Sequence, residues 1–136
     1  MKSKVYIETS VVSYLTARPS RDLVLISDVV LREAARGDKS AAERRLAALD
    51  GLPVLVLDDR ADSLARVFIS ENVVPEKAAD DALHVALATI QKIDFLLTWN
   101  CTHIANAEVV KRMEAVCLER GHRMPILCTP YQLMGE

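Results

Sequence analysis

Glu8 follows the run Lys-Val-Tyr-Ile, whose β-branched and aromatic residues read as a strand, and is itself followed by Thr9 and Ser10. An acid that closes the first strand of a parallel sheet faces the crevice at the strand ends, where ligands gather. A carboxylate at the start of a helix is equally a good cap, and the residue alone does not choose between the two roles. Asp81 stands out differently. It lies inside an alanine-rich helical stretch, among apolar neighbours, where aspartate has poor intrinsic propensity. Asp80 beside it serves as the solvated member of the pair. His84 is three residues further on and shares a helix face with Asp81, so the two can meet in one site. A histidine at the edge of a core with a satisfied hydrogen bond is its more ordinary reading.

These residues need elements to position them, and the apolar pattern supplies an order. Short runs at 4–7, 23–26, 52–57, 94–98 and 124–128 read as strands, with 52–57 nearly all apolar, as in a strand buried on both faces. Helical spacing starts at Val11. Ser27 is an N-cap for the helix carrying Val29, Val30, Leu31, Glu33 and Ala34, which Gly37 ends, and Ser40 with Glu43 reads as a capping box for a helix that stops at Gly51. Asp58, Asp59 and Arg60 lead into a further helix, Pro75 opens a long one to about residue 93, and 107–120 forms the last before Gly121. Residues 16–22 form a loop. Strands alternating with helices predict a mostly parallel α/β sheet with helices on both faces. The residues just after its strands are Glu8, Thr9, Ser10, Ser27, Asp58, Asp59, Trp99, Asn100 and Thr129.

A chain of 136 residues with 51% hydrophobic content fits one domain, 1–136, with one core. The net charge is -2 and no block of like charge occurs, so a nucleic-acid role has to be local or shared with a partner. The pI near 5.9 agrees. Cys101, Cys117 and Cys128 are odd in number and far apart, which suggests neither a disulfide framework nor a zinc knuckle. His103 beside Cys101 does not build a zinc site without further soft ligands. The opening segment is interrupted by Glu8 and no apolar run reaches the roughly 18 residues of a membrane span, so the expected location is the cytoplasm.

Four stretches together resemble a known family. KVYIETSVVSYL resembles the opening of PIN domains, ISDVVLREAARGD the segment whose glutamate, Glu33, is their second acidic position, AADDALHVALAT their third motif with its aspartate at Asp81, and LLTWNCTHIAN their fourth, with Asn100 at a usually acidic place. Order and spacing agree over nearly the whole chain, and among PIN domains it looks closest to the VapC toxins of type II toxin-antitoxin pairs. The chain departs from the pattern at Glu8, where aspartate is usual, at Asn100, and in the short connection between Leu15 and Leu23, where relatives commonly carry another helix.

The resemblance implies a metal-dependent endoribonuclease using Mg²⁺ or Mn²⁺, with Glu8, Glu33, Asp81 and Asn100 as its catalytic set. Hard divalent cations prefer oxygen ligands, and clustered carboxylates tolerate one another when a cation neutralises them. Glu8, Asp81 and Glu33 would hold the metal, Glu33 directly or through water. Asn100 would offer its carbonyl oxygen or orient a water, and Thr9, Ser10, Thr98 and His84 would support the ligands. An RNA substrate, an antitoxin partner and a homodimer follow from the same resemblance. The competing reading is a catalytically weak PIN-like binding module in a toxin-antitoxin or other complex. A receiver domain of the response-regulator kind fits less well, because its acidic pair and its lysine after the fifth strand are both missing. Trp99 reads as a packing anchor or a base-stacking residue, and Arg18, Arg21, Lys77 and Arg112 as surface charges or phosphate contacts.

Overall fold

The computed structural model describes residues 3–16 and 23–133. The connection at 17–22, with Arg18 and Arg21, lies outside the described residues. Strands β1 (Lys4–Ile7), β2 (Leu23–Ser27), β3 (Val54–Leu55), β4 (Phe95–Leu97) and β5 (Ile126–Cys128) form one sheet in the order β3-β2-β1-β4-β5. Every neighbouring pair is parallel. Parallel neighbours cannot be joined by tight hairpins, and the crossovers carry the helices α1 (Asp28–Ala34), α2 (Lys39–Leu49), α3 (Asp59–Ser70), α4 (Ala79–Ile90) and α5 (Ala107–Glu119). A short α6 (Pro130–Leu133) follows β5.

The central position of β1 explains its composition. Successive strand residues point to opposite faces, yet Val5, Tyr6 and Ile7 are all buried, so both faces of β1 are covered. The core joins this strand to Leu96 and Leu97 of β4, Leu64 and Phe68 of α3 and the alanine-rich α4, in which Ala82, Ala86 and Ala88 are fully enclosed. Small side chains let α4 lie close to its neighbours on several sides. No helix among the described residues is long and apolar enough to cross a membrane.

Several local expectations change. The run 52–57 contributes only the two residues of β3, and with Val54 43% and Val56 67% exposed it is an edge strand rather than a doubly buried one. An apolar run cannot reveal which strands have a neighbour on only one side. The α2 cap is Asp38, whose carboxylate accepts from the Ala41 N–H at 2.9 Å. Ser40 lies inside that helix and accepts from Arg44. Gly37, at φ 84, makes the turn that sets Asp38 at the helix start. Pro75 precedes a 3₁₀ turn, Glu76–Ala78, instead of standing in the first turn of α4. The helix stops at Ile90, and Lys92 adopts φ 57 while the Ile93 N–H closes onto the Ala88 carbonyl at 3.0 Å. After β1 the chain forms a kinked 3₁₀ segment, Thr9–Thr16, rather than a regular α-helix.

Candidate functional site

The backbone of Glu8 is held on both sides. Its N–H donates to the Leu97 carbonyl at 3.0 Å and its carbonyl accepts from the Val11 N–H at 3.0 Å, so the strand ends and the 3₁₀ segment begins at this residue. The register that sets Ile7 opposite Leu97 brings the next residues, Glu8 and Thr98, together. The Glu8 side chain is 6% exposed. Its Oε1 accepts from the hydroxyls of Thr98 and Ser10, each at 2.6 Å. These hydroxyls are fixed in turn. Thr98 Oγ1 accepts from the Asn100 N–H at 2.9 Å and Ser10 Oγ from the Trp99 N–H at 2.8 Å. A buried carboxylate with such donors avoids the large penalty of an unsatisfied charge.

Glu33 arrives from α1. Its Oε1 lies 2.6 Å from the Thr9 hydroxyl and 2.6 Å from His84 Nε2. His84 is wholly buried in α4, and its Nδ1 lies 2.6 Å from the Tyr6 hydroxyl, which is 2.7 Å from Ser27 Oγ. Ser27 also caps α1 by accepting from the Val30 N–H at 3.3 Å. Counting donors assigns a direction to this chain. With His84 neutral and protonated on Nε2, the Ser27 hydroxyl donates to Tyr6, Tyr6 to Nδ1, and Nε2 to the Glu33 carboxylate. Each proton then has an acceptor, and no buried side-chain nitrogen or oxygen among the described residues lacks a partner. Burial works to raise the Glu33 carboxyl, but the hydrogen bonds from His84 and Thr9 and the charge of Arg36 outweigh it, leaving the group below its usual range. Burial first, and the nearby carboxylates second, push the Tyr6 phenol far above its ordinary value despite the Ser27 bond.

Asp81 is half-buried on α4, with Oδ2 3.2 Å from His103 Nδ1. Burial raises its carboxyl and the Glu8 charge raises it further, against the lowering effects of the Asn100 amide and of His103. Asn100 turns its carbonyl away from this carboxylate. Its Oδ1 accepts from the N–H groups of Thr102 at 3.1 Å and His103 at 3.0 Å. Asp80 takes the structural role, pairing with Arg32 at 3.0 Å and Arg36 at 3.5 Å and so tying α4 to α1.

The fold thus gathers Glu8, Thr9, Ser10, Glu33, Asp81, His84, Thr98 and Asn100 around the carboxyl ends of β1 and β4. Of the other residues following strands, Asp58 caps α3 through the Ala61 N–H at 3.0 Å, and the Thr129 N–H donates to Gln132 at 2.8 Å. Tyr6 was not singled out from the sequence, and His103 was weighed only beside Cys101 rather than for this site. Tyr6 had a signal, because a tyrosine in a buried strand must find a partner for its hydroxyl. His103 had none beyond its closeness to Asn100. Ligand atoms of Glu8, Glu33 and His84 lie within 4.8 Å of one another, while Asp81 stands outside that cluster. Both His84 nitrogens are engaged, so the donors suited to a cation are carboxylate oxygens, a set that matches a hard divalent ion.

No protein-family model and no curated protein matches the sequence. Solved structures do resemble the fold. VapBC2 from Rickettsia felis, bound to a DNA fragment from their promoter, matches with a TM-score of 0.57 and 16% identity over 91% of this chain and 96% of that one. VapBC-1 from nontypeable Haemophilus influenzae matches with a TM-score of 0.55 and 12% identity over 80% and 93% of the two chains. VapBC-5 from Mycobacterium tuberculosis, of the VapBC family of toxin-antitoxin systems, gives 0.51 and 20% over 72% and 86%. At these identities the likeness is one of architecture: the chain has the fold of a PIN-type α/β domain, as in the VapC components of VapBC toxin-antitoxin systems.

Proposed function

We propose that the protein is a metal-dependent endoribonuclease of the VapC kind, hydrolysing RNA phosphodiester bonds with Mg²⁺ or Mn²⁺. The observation that carries the reading is the meeting of Glu8 and Glu33, from two separate segments, in one cluster at the ends of the central strands, with Asp81 of a third segment near enough for the Glu8 charge to act on its carboxyl. Oxygen-only donors near one another are the ligands that a hard divalent cation takes, and when bound such an ion supplies an activated water and stabilises charge on phosphoryl oxygens. Glu8, Glu33 and Asp81 would hold it. Ser10, Thr98 and Thr9 orient two of these carboxylates, and His84 fixes Glu33 from the core side. The carboxylate ends lie where substrate enters a parallel sheet.

The solved VapBC structures support an antitoxin as the natural partner, and a cytoplasmic location suits such a pair. A homodimer belongs to the same proposal. The test is cleavage of single-stranded RNA by purified, antitoxin-free protein in Mg²⁺ and in Mn²⁺. Wild type should cut and Asp81→Asn should lose at least about a hundredfold in rate, as expected when a metal ligand is removed from a charged centre. Equal rates for the two proteins would refute the mechanism. One observation favours a second reading, a catalytically weak module that binds partners: Asn100 brings no charge, and its carbonyl is already occupied by the Thr102 and His103 N–H groups. That reading predicts antitoxin binding with no cleavage in either metal.

A further inference from the structure

Trp99 is the sole tryptophan of the chain and lies directly between two residues of the carboxylate centre, Thr98 and Asn100. Its own N–H donates to Ser10 Oγ at 2.8 Å, and the same hydroxyl donates to Glu8 Oε1 at 2.6 Å. Two hydrogen bonds therefore separate the Trp99 backbone from a site carboxylate. With the Asn100 N–H also held by Thr98, the position of Trp99 is determined by the centre itself. The indole is not a packing anchor in the core. It is 40% exposed, and its partner Tyr131 is 75% exposed.

The two rings meet with centroids 5.1 Å apart and an interplanar angle of 68°. They come from neighbouring strand ends. Leu97 pairs with Cys128, Trp99 follows the first by two residues, and Tyr131 follows the second on α6, whose first turn is tied by the bond between the Thr129 N–H and Gln132. In an edge-to-face pair, the ring that offers its edge keeps both faces free of its partner.

We propose that Trp99 and Tyr131 form an aromatic ledge on which an unpaired base of the substrate stacks, next to the carboxylate centre. The inference rests on the nuclease reading and adds to it the side chains that would hold a base of RNA whose bases are free to unstack, as in single strands and loops. It also accounts for the charge of the protein. A chain with net charge -2 gains little from releasing counterions along a phosphate backbone, and Arg32 and Arg36 near the site are paired with Asp80. Stacking on a π-face is tolerant of sequence and does not depend on net charge. Unpaired bases offer such faces; duplex RNA keeps them covered.

The ledge can be tested apart from cleavage. The probe is a short 2′-O-methyl oligoadenylate, titrated into the full chain with Ca²⁺ present to neutralise the carboxylates and with the integrity of the oligonucleotide checked afterwards. The Trp99 emission should be quenched in a saturable way, while an abasic strand of the same length and a duplex leave it unchanged. By anisotropy of a labelled probe, Trp99→Ala and Tyr131→Ala should each bind on the order of tenfold more weakly, with Trp99→Phe close to wild type. The affinity should fall only shallowly with salt. Binding of the strand with unaltered emission and full affinity in Trp99→Ala would overturn the ledge and leave the nuclease reading standing. Equal binding of the abasic strand would also overturn it. A blue-shift of Trp99 that follows protein concentration, with no response to oligonucleotide, would instead make the pair a contact between copies and reject stacking. Loss of RNA cleavage in wild type, measured separately with Mn²⁺, would reject the nuclease reading whatever the probe does.

Discussion

Replacing Tyr6 by phenylalanine would keep the ring in the core and remove only the hydroxyl that joins Ser27 to His84. His84 Nδ1 would lose its donor and the Ser27 proton its acceptor, both away from water. An unmade buried hydrogen bond costs roughly 1–3 kcal/mol, so Tyr6→Phe should be less stable by about that amount in urea denaturation. On the proposed nuclease function it should also cleave RNA more slowly, since the ring that holds Glu33 would be free to turn. A variant as stable and as active as wild type would mean that the relay from Ser27 to Glu33 is not connected as drawn. Asp81 behaves in the opposite sense. Its carboxyl is raised by burial and by the Glu8 charge, so ionising it in the metal-free fold costs stability. The residue proposed as a metal ligand is thus a local liability in the metal-free fold.

At the level of single elements, α2 provides a direct comparison of two candidate caps. Asp38 accepts from the Ala41 N–H, whereas Ser40 lies inside the helix bonded to Arg44. Asp38→Ala should therefore cost about 1 kcal/mol, and Ser40→Ala should stay within about 0.5 kcal/mol of wild type. Thermal or chemical denaturation of the two variants side by side reads the difference, and the reverse ranking would return the cap to Ser40. The capping-box pattern matched by type and spacing but not by position, because the turn at Gly37 had already placed a stronger acceptor ahead of it. Strand β3 teaches the same lesson. Its apolar run was plain, yet its burial depended on a neighbour that the run could not specify.

For the whole molecule, the shifted carboxyls of Glu33 and Asp81 make stability depend on pH in opposing ways. Glu33, held below its ordinary value, contributes stability that is present above the unfolded value and lost as pH falls through the folded one. Asp81, raised, contributes most below its unfolded value of roughly 3.9 and loses that contribution as pH rises through its folded value. The metal-free Asp81→Asn protein should therefore be more stable than wild type at neutral pH, with the gap closing in acid below the ordinary aspartate value. Urea titrations at the two pH values, with chelator present, measure it. A gap of zero at neutral pH would show that Asp81 carries no electrostatic cost. Added Mg²⁺ should narrow the gap by stabilising wild type alone, which ties the cost of the empty carboxylate to the cation expected there.

The sequence by itself determined the alternation of strands and helices, the parallel class of the sheet, and the two acids, Glu8 and Asp81, whose contexts marked them. These are matters of local period and of residues set against their neighbours, and short windows carry them. Asn100 was reached by its place just after a strand, whereas Glu33 needed the family resemblance, since it does not stand out from its own segment. The strand order β3-β2-β1-β4-β5 was decided only in three dimensions, and with it which strands are central and which are edges. The partners followed from that order: Thr98 reaches Glu8 across 90 positions, Tyr6 reaches His84 across 78, and His84 reaches Glu33 across 51. A hydrogen bond between residues so far apart depends on which strands and helices become neighbours, and that choice is made by burial of the whole apolar surface rather than by any stretch of chain.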